Sequence, residues 1–212
     1  MVNDSQKNRS QGSGTEEVKR IVENIEGWLS DREGEFLYQM AKKAPERGAV
    51  VEIGSWKGKS TIWLAKGSKS GNKAKVYAID PHNGSHEHRE TYGEAKTFRD
   101  FKRNIENARC GDLVIPIVKT SEEAAKEWDK PVGFLFIDGA HEYESVKLDF
   151  ELWHPHVIEG GVVALHDTTG DQSEGPKKVV EEFIYHSGNF KDIGFVDSIT
   201  FATKVGHSTI MW

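Results

Sequence analysis

From Ala49 onward the chain alternates short apolar runs with stretches of helical spacing, and that alternation constrains its fold more than any other feature. Ala49 to Gly54 reads as a buried strand entering a glycine turn, and Ser60 to Lys66 reads as helix. Val76 to Asp80 is a second strand, followed by a helix marked by Phe98, Phe101 and Ile105. Leu113 to Val118 is a third strand, followed by a short helix capped by Ser121. Val132 to Asp138 is a fourth, with Val146, Phe150 and Trp153 marking its helix. Gly161 to Leu165 is a fifth, and Pro176 suits the first turn of a helix bearing Val179, Val180 and Phe183. Strands that alternate with helices require a parallel sheet covered on both faces, so the expected fold class is a doubly wound α/β sheet. The end breaks the rule. Ile193 to Val196 and Ile199 to Val205 are separated only by Asp197-Ser198, too short for a parallel crossover, so this pair is an antiparallel hairpin.

Ahead of the first strand, Thr15 caps a helix with Val18, Ile21, Val22 and Ile25 on one face. A second helix carries Phe36, Leu37, Met40 and Ala41 and ends near Pro45. Residues 1–14 are polar and read as a disordered leader without the apolar core of a secretory signal. Residues 15–212 read as one domain, with N-terminal helices over 15–47 and the sheet over 48–212; at about 150 residues per domain, 212 residues fit one better than two. No run approaches the roughly 20 apolar residues of a membrane span. The net charge of −6 lacks the basic footprint of a nucleic-acid groove, and the single Cys110 excludes an internal disulfide and a cysteine-built metal site. The expected setting is the cytoplasm, with neither membrane nor nucleic acid as partner.

In open α/β sheets ligands bind beyond the carboxyl ends of the strands. Those ends are Glu52-Ile53-Gly54-Ser55-Trp56-Lys57-Gly58-Lys59-Ser60, Asp80-Pro81-His82, Lys119-Thr120-Ser121, Asp138-Gly139-Ala140-His141 and His166-Asp167-Thr168. The first turn misses the P-loop spacing by one residue, and it has Trp56 where a dinucleotide fingerprint needs its second glycine. Carboxylates around the loop disfavour a phosphate and suit a cationic ligand. S-adenosylmethionine (SAM) has a sulfonium, an ammonium and a ribose diol and no phosphate. Gly54 and Gly58 would allow backbone approach, Asp80 would accept the ribose hydroxyls, and Glu52 and Asp138 would face the positive end.

The string from Val51 to Thr61 resembles motif I of class I SAM-dependent methyltransferases. Phe136 to His141 with Tyr143, then Gly160-Gly161 and His166-Asp167, look like their small-molecule branch, which is macrocin and catechol O-methyltransferase-like. The resemblance implies a Rossmann-like sheet of seven strands in order 3-2-1-4-5-7-6. It places Glu52, Gly54, Ser55, Gly58 and Ser60 on the methionine side of SAM, Asp80 at the ribose and Ser121 at the adenine edge. Asp138 begins the substrate side, and His141, three residues later, matches the position of the base. Asp138 and Asp167 match two ligands of a Mg²⁺ ion in catechol-type relatives, with Thr168 where the third would stand, which leaves metal dependence open. His166 is expected to pack beneath the site. His82, His86 and His88 have a spacing able to hold a metal, but read better as part of a solvated lid loop. The implied reaction is methyl transfer to a hydroxyl of a small metabolite such as a sugar, phenol or antibiotic-like acceptor. The N-terminal helices are of a kind that can pack against a second subunit, giving a homo-oligomer. The rival readings are a hydroxylase on the same scaffold, a non-catalytic SAM-binding module, and a kinase suggested by Gly58-Lys59-Ser60.

Overall fold

The computed structural model describes residues 14–84, 96–170 and 174–206. Residues 14–22 form α1. There follow α2 (Asp31–Lys43), β1 (Ala49–Ile53), α3 (Lys59–Lys69), β2 (Val76–Ile79), α4 (Phe98–Asn107), β3 (Val114–Ile117), α5 (Ser121–Lys126), β4 (Val132–Ile137) and α6 (Tyr143–Trp153). Then come β5 (Val157–Leu165), α7 (Glu174–Val179), β6 (Phe190–Val196) and β7 (Ile199–Lys204). The seven strands lie in the order β3-β2-β1-β4-β5-β7-β6, as expected. β1 to β5 pair in parallel, and β7 runs antiparallel to both β5 and β6. No helix among the described residues is long and apolar enough to cross a membrane.

Strand alternation divides the core into two layers. All six residues of β4 are buried; Phe134 and Phe136 face the layer of α2, α3 and α4, while Leu135 and Ile137 face that of α6 and α7. The first layer is built on Trp63, Leu37 and Phe101, the second on Trp153, Phe150 and Leu165. Because β1 alternates in the same way, Glu52 shares the face of Val50 and points at the first turn of α3.

α2 and α3 pack closely because Gly34 has no side chain: a Cβ there would lie 2.3 Å from the Trp63 ring. Overpacking of a full core typically costs about 1–3 kcal/mol. Gly34→Ala is therefore expected to lower the unfolding free energy by that amount, read from a denaturant titration.

Several element ends differ from expectation. β5 begins at Val157, four residues earlier than the Gly161 start, because Gly160 takes φ +75° and lets the strand continue through what reads as a turn. β6 begins at Phe190 rather than Ile193, with a register shift between Lys191 and Gly194 that interrupts its alternation. The cap of α5 is Thr120, whose hydroxyl accepts from Glu123 N while the Glu123 side chain accepts from Thr120 N. Ser121 is therefore the first helical residue instead. After α7 the chain continues as a π-helical segment, Val180–Tyr185. The expected leader lies almost wholly outside the described residues.

Candidate functional site

The turn after β1 is held by two carboxylates. Glu52 is fully buried; Ser60 Oγ donates to its Oε1 at 2.5 Å and Thr61 Oγ1 to its Oε2 at 2.5 Å. Both oxygens are thus engaged beneath the turn rather than presented above it. Burial, outweighing the two hydroxyls, pushes the Glu52 carboxyl up to about 8, with Asp138 and Asp80 adding to the rise. The second carboxylate, Asp80, accepts from Ser55 N at 2.9 Å and Trp56 N at 2.8 Å through Oδ2, and from His82 N at 2.6 Å through Oδ1. A carboxylate offers about four lone-pair sites, so Oδ1 keeps acceptor capacity for a ligand hydroxyl.

The protonation of Glu52 has a measurable consequence. Between about 4.5 and 8 the folded protein keeps a proton that the unfolded chain has released, so the folded state binds more protons and stability falls as pH rises through that window. Glu52→Gln lacks this slope. Its stability relative to wild type is expected to rise from pH 5 to pH 8, read from denaturant midpoints at a series of pH values.

Gly54 and Gly58 bracket the turn at φ +84° and +88°. A Cβ on Gly54 would meet the Asp138 carbonyl oxygen at 2.0 Å, so the ends of β1 and β4 meet backbone to backbone. Ser55 Oγ is buried and has no hydrogen-bond partner among the described residues. On the other side, Ser121 Oγ accepts from Trp153 Nε1 at 2.8 Å and bonds the Asp149 carboxyl, which burial raises to about 6 against that bond.

A second cluster stands at the ends of β4 and β5. Asp138, His141 and Asp167 each offer a ligand atom within 4.8 Å of the others. His141 Nε2 lies 3.1 Å from Asp167 Oδ2. His166 Nδ1 lies 3.1 Å from Asp138 Oδ1 and 3.0 Å from Asp167 Oδ2. Its Nε2 lies 3.5 Å from Glu33 Oε2. Burial opposes charge on His166, but Asp138, Asp167 and Glu33 together hold its pKa well above the ordinary histidine value. Burial likewise works against the Asp167 carboxylate, and His141 and His166 outweigh it to keep Asp167 well below the usual carboxylate range. Asp167 takes φ +53°, a left-handed conformation that turns its side chain back toward the cluster.

The structure thus gathers Glu52, Gly54, Ser55, Gly58, Ser60 and Asp80 around one turn, and Asp138, His141 and Asp167 around one cluster. Thr168 is not the third donor: its hydroxyl donates to Ser198 O at 2.8 Å and lies 2.6 Å from Thr200 Oγ1, facing away. His166, the first residue past β5, stands beside Asp138 and Asp167 instead. Glu33 was not anticipated at all, although Ser30-x-x-Glu33 is a capping-box signature. His82 is buried with Nδ1 2.9 Å from Thr97 Oγ1, and His86 and His88 lie outside the described residues.

A family model described as a methyltransferase domain matches residues 51–168. An uncharacterized protein of Sinorhizobium fredii is 34% identical over 144 residues, which are 66% of this chain and 15% of that protein. An uncharacterized protein of Acanthamoeba polyphaga mimivirus is 26% identical over 156 residues, 72% of this chain and 66% of that one. The chain therefore spans less than two thirds of either relative. Among solved structures, the O-methyltransferase NovP aligns with a TM-score of 0.72 at 18% identity over 84% of this chain and 81% of that one. An O-methyltransferase from Bacillus cereus in complex with S-adenosylhomocysteine (SAH) aligns at 0.61 and 22% identity, over 91% of each chain. TomG from Streptomyces achromogenes, an O-methyltransferase in complex with SAM, aligns at 0.62 and 17% identity, over 92% and 89%. At these identities the structural likeness concerns the fold.

Proposed function

The chain belongs to the family of methyltransferase domains whose model covers more than half of it, and on that premise we propose that it transfers a methyl group from SAM to a hydroxyl of a small metabolite. The observation that carries the proposal is the pairing of a SAM-shaped turn with an imidazole–carboxylate cluster one strand away.

The residues present fit SAM. Gly54 lets the turn after β1 approach the Asp138 backbone with no side chain between them, and Ser55 Oγ is a buried hydroxyl with no hydrogen-bond partner among the described residues. Gly54, Ser55, Gly58 and Ser60 would hold the methionine end, Asp80 the ribose and Ser121 the adenine edge. Glu52 acts from below, fixing Ser60 and Thr61 at the start of α3. When bound, SAM supplies an electrophilic methyl group on a sulfonium. Asp138, whose backbone touches the turn, contributes negative charge to that side of the site.

Asp167 accepts from His141 Nε2 and orients the ring as the partner of a catalytic base does, so that the other ring nitrogen, Nδ1, takes the proton of the attacking hydroxyl. The same cluster fits a divalent cation. Asp138, His141 and Asp167 would hold it, and a mixed imidazole and carboxylate set suits Mn²⁺, Fe²⁺ or Zn²⁺ better than Mg²⁺, which prefers oxygen donors throughout. Such an ion would supply a Lewis acid that lowers the pKa of a nearby hydroxyl.

Thermal shift with SAH and SAM, each with Mn²⁺ and with EDTA, tests the cofactor and the ion together. Stabilisation by SAH is the expected result, and stabilisation by ATP–Mg²⁺ alone would overturn the proposal in favour of a kinase. Product mass from a panel of hydroxylated acceptors then separates methylation, a gain of CH₂, from hydroxylation, a gain of one oxygen atom.

A further inference from the structure

Ser121 opens α5 just past β3, yet its hydroxyl takes no part in capping that helix, because Thr120 does so. Two residues one turn apart on α6 reach it instead. Trp153 Nε1 donates to Ser121 Oγ at 2.8 Å, and Ser121 Oγ donates to the Asp149 carboxylate. Asp149 is only 9% exposed. A Cβ on Gly139 would lie 3.2 Å from Asp149 Oδ2, so the carboxyl is wedged against the loop that follows β4. Burying a carboxylate is unfavourable, and the single hydroxyl offsets that only in part, which leaves Asp149 raised to about 6. Holding α6 against α5 does not require such a group. Trp153 already does so through its bond to Ser121 and through Trp128, just past α5, whose ring centroid lies 5.2 Å from its own.

A hydroxyl has one proton and two lone pairs, an indole N–H only donates, and a carboxylate only accepts. Trp153 therefore occupies one lone pair of Ser121 Oγ, and Asp149 takes its proton. One lone pair remains. Because Ser121 is only part-buried, a ligand at this edge meets an acceptor and no donor. Adenine carries an amine at C6, a donor, where hypoxanthine carries a carbonyl, an acceptor. We propose that Asp149 is a positioning residue for base recognition: by holding the Ser121 proton it leaves the hydroxyl as an acceptor, which takes the amine of SAM and rejects a base with a carbonyl in its place. The proposal rests on the placement of Ser121 at the adenine edge of the SAM site.

Calorimetric titration with SAH and with S-inosylhomocysteine, its deaminated analogue, tests this at a pH well above 6, where Asp149 is ionised. Wild type is expected to bind SAH about 10–100-fold more tightly than the analogue. Asp149→Leu keeps most of the side-chain volume and frees the Ser121 proton for the carbonyl. It is therefore expected to bind S-inosylhomocysteine about 10-fold more tightly than wild type does, so that the ratio of the two affinities falls toward unity. A merely structural Asp149 would cost both ligands alike. An unchanged ratio in Asp149→Leu, whether or not both affinities fall, thus overturns the proposal. Wild type that binds SAH and S-inosylhomocysteine equally also overturns it and leaves the SAM reading standing, whereas wild type that binds neither overturns the SAM reading itself. Where Asp149→Leu does not fold, Ser121→Ala serves instead. It removes the acceptor at a part-buried position, so the ratio is expected to fall toward unity, and a ratio equal to that of wild type overturns the proposal.

Discussion

Gly54→Ala is expected to weaken SAH binding by about 100-fold, whereas Gly160→Ala leaves it intact. Gly54 sits at φ +84°, where a side chain costs about 1–2 kcal/mol on backbone grounds alone. The larger effect is steric. The added carbon would lie 2.0 Å from the Asp138 carbonyl oxygen and 2.8 Å from Gly139 Cα, both backbone atoms that no rotamer change can move. Relief requires the ends of β1 and β4 to part, yet they are tied by Asp138 N donating to Ile53 O at 2.8 Å. Parting them also disturbs Ser55 N and Trp56 N, which Asp80 holds. An affinity loss of about 100-fold corresponds to about 2.8 kcal/mol, well within the combined strain. Gly160→Ala is the control: φ is +75° there, but nothing lies within 4 Å of the new carbon. It is expected to lose about 1–2 kcal/mol of stability and no SAH affinity. Calorimetric titration with SAH checks both, and wild-type affinity in Gly54→Ala would sink the assignment of this turn as the cofactor cradle.

The contrast between those two glycines shows what the chain discloses by itself and what it conceals. Both are glycines beside apolar runs. Motif spacing marks Gly54 because the turn after a first strand is a local feature, read within ten residues of Val51. Gly160 reads as the end of a loop, although β5 passes through it, because a strand that bends at a left-handed glycine has no period to recognise. The terminal hairpin was legible for the same local reason, since a two-residue Asp197-Ser198 link leaves only an antiparallel pair, whereas the order of the seven strands came from the family resemblance.

The cluster at β4 and β5 was legible in part. Asp138 stands directly after β4, and His141 and Asp167 follow within a few residues of the ends of β4 and β5, so the rule for strand ends finds them. His166 was expected to pack beneath the site; its side chain is 4% exposed, with Nδ1 against Asp138 and Asp167 within the cluster. Its partnership with Glu33 spans 133 positions, and the bond between Glu33 and Ser198 spans 165. No periodicity encodes contacts of that range. Thr168, which stands in the sequence where a third ligand of catechol-type relatives would, has its hydroxyl committed to Ser198 and Thr200, contacts 30 or more positions away that spacing does not show.

His141→Ala is expected to lower turnover by about 10²–10⁴-fold, the usual contribution of a positioned acid–base group, on whichever acceptor of the panel the wild type methylates. The geometry separates this loss from binding. His141 touches Asp167, not the turn after β1, so SAH affinity is expected to stay at the wild-type level. Its side chain is 39% exposed, so removing it leaves no large buried cavity and little cost to the fold. Asp167 keeps His166 as a partner at 3.0 Å and remains in place. The outcome therefore isolates the chemistry: reduced turnover with intact SAH binding supports His141 as the proton acceptor. Full turnover would transfer that role to Asp138 or to solvent. Repeating the assay with Mn²⁺ and with EDTA distinguishes a base from a ligand, since a base is missed equally in both, whereas loss of a ligand is offset by excess Mn²⁺. A loss that Mn²⁺ restores would place His141 in the cation site and leave the proton to another group.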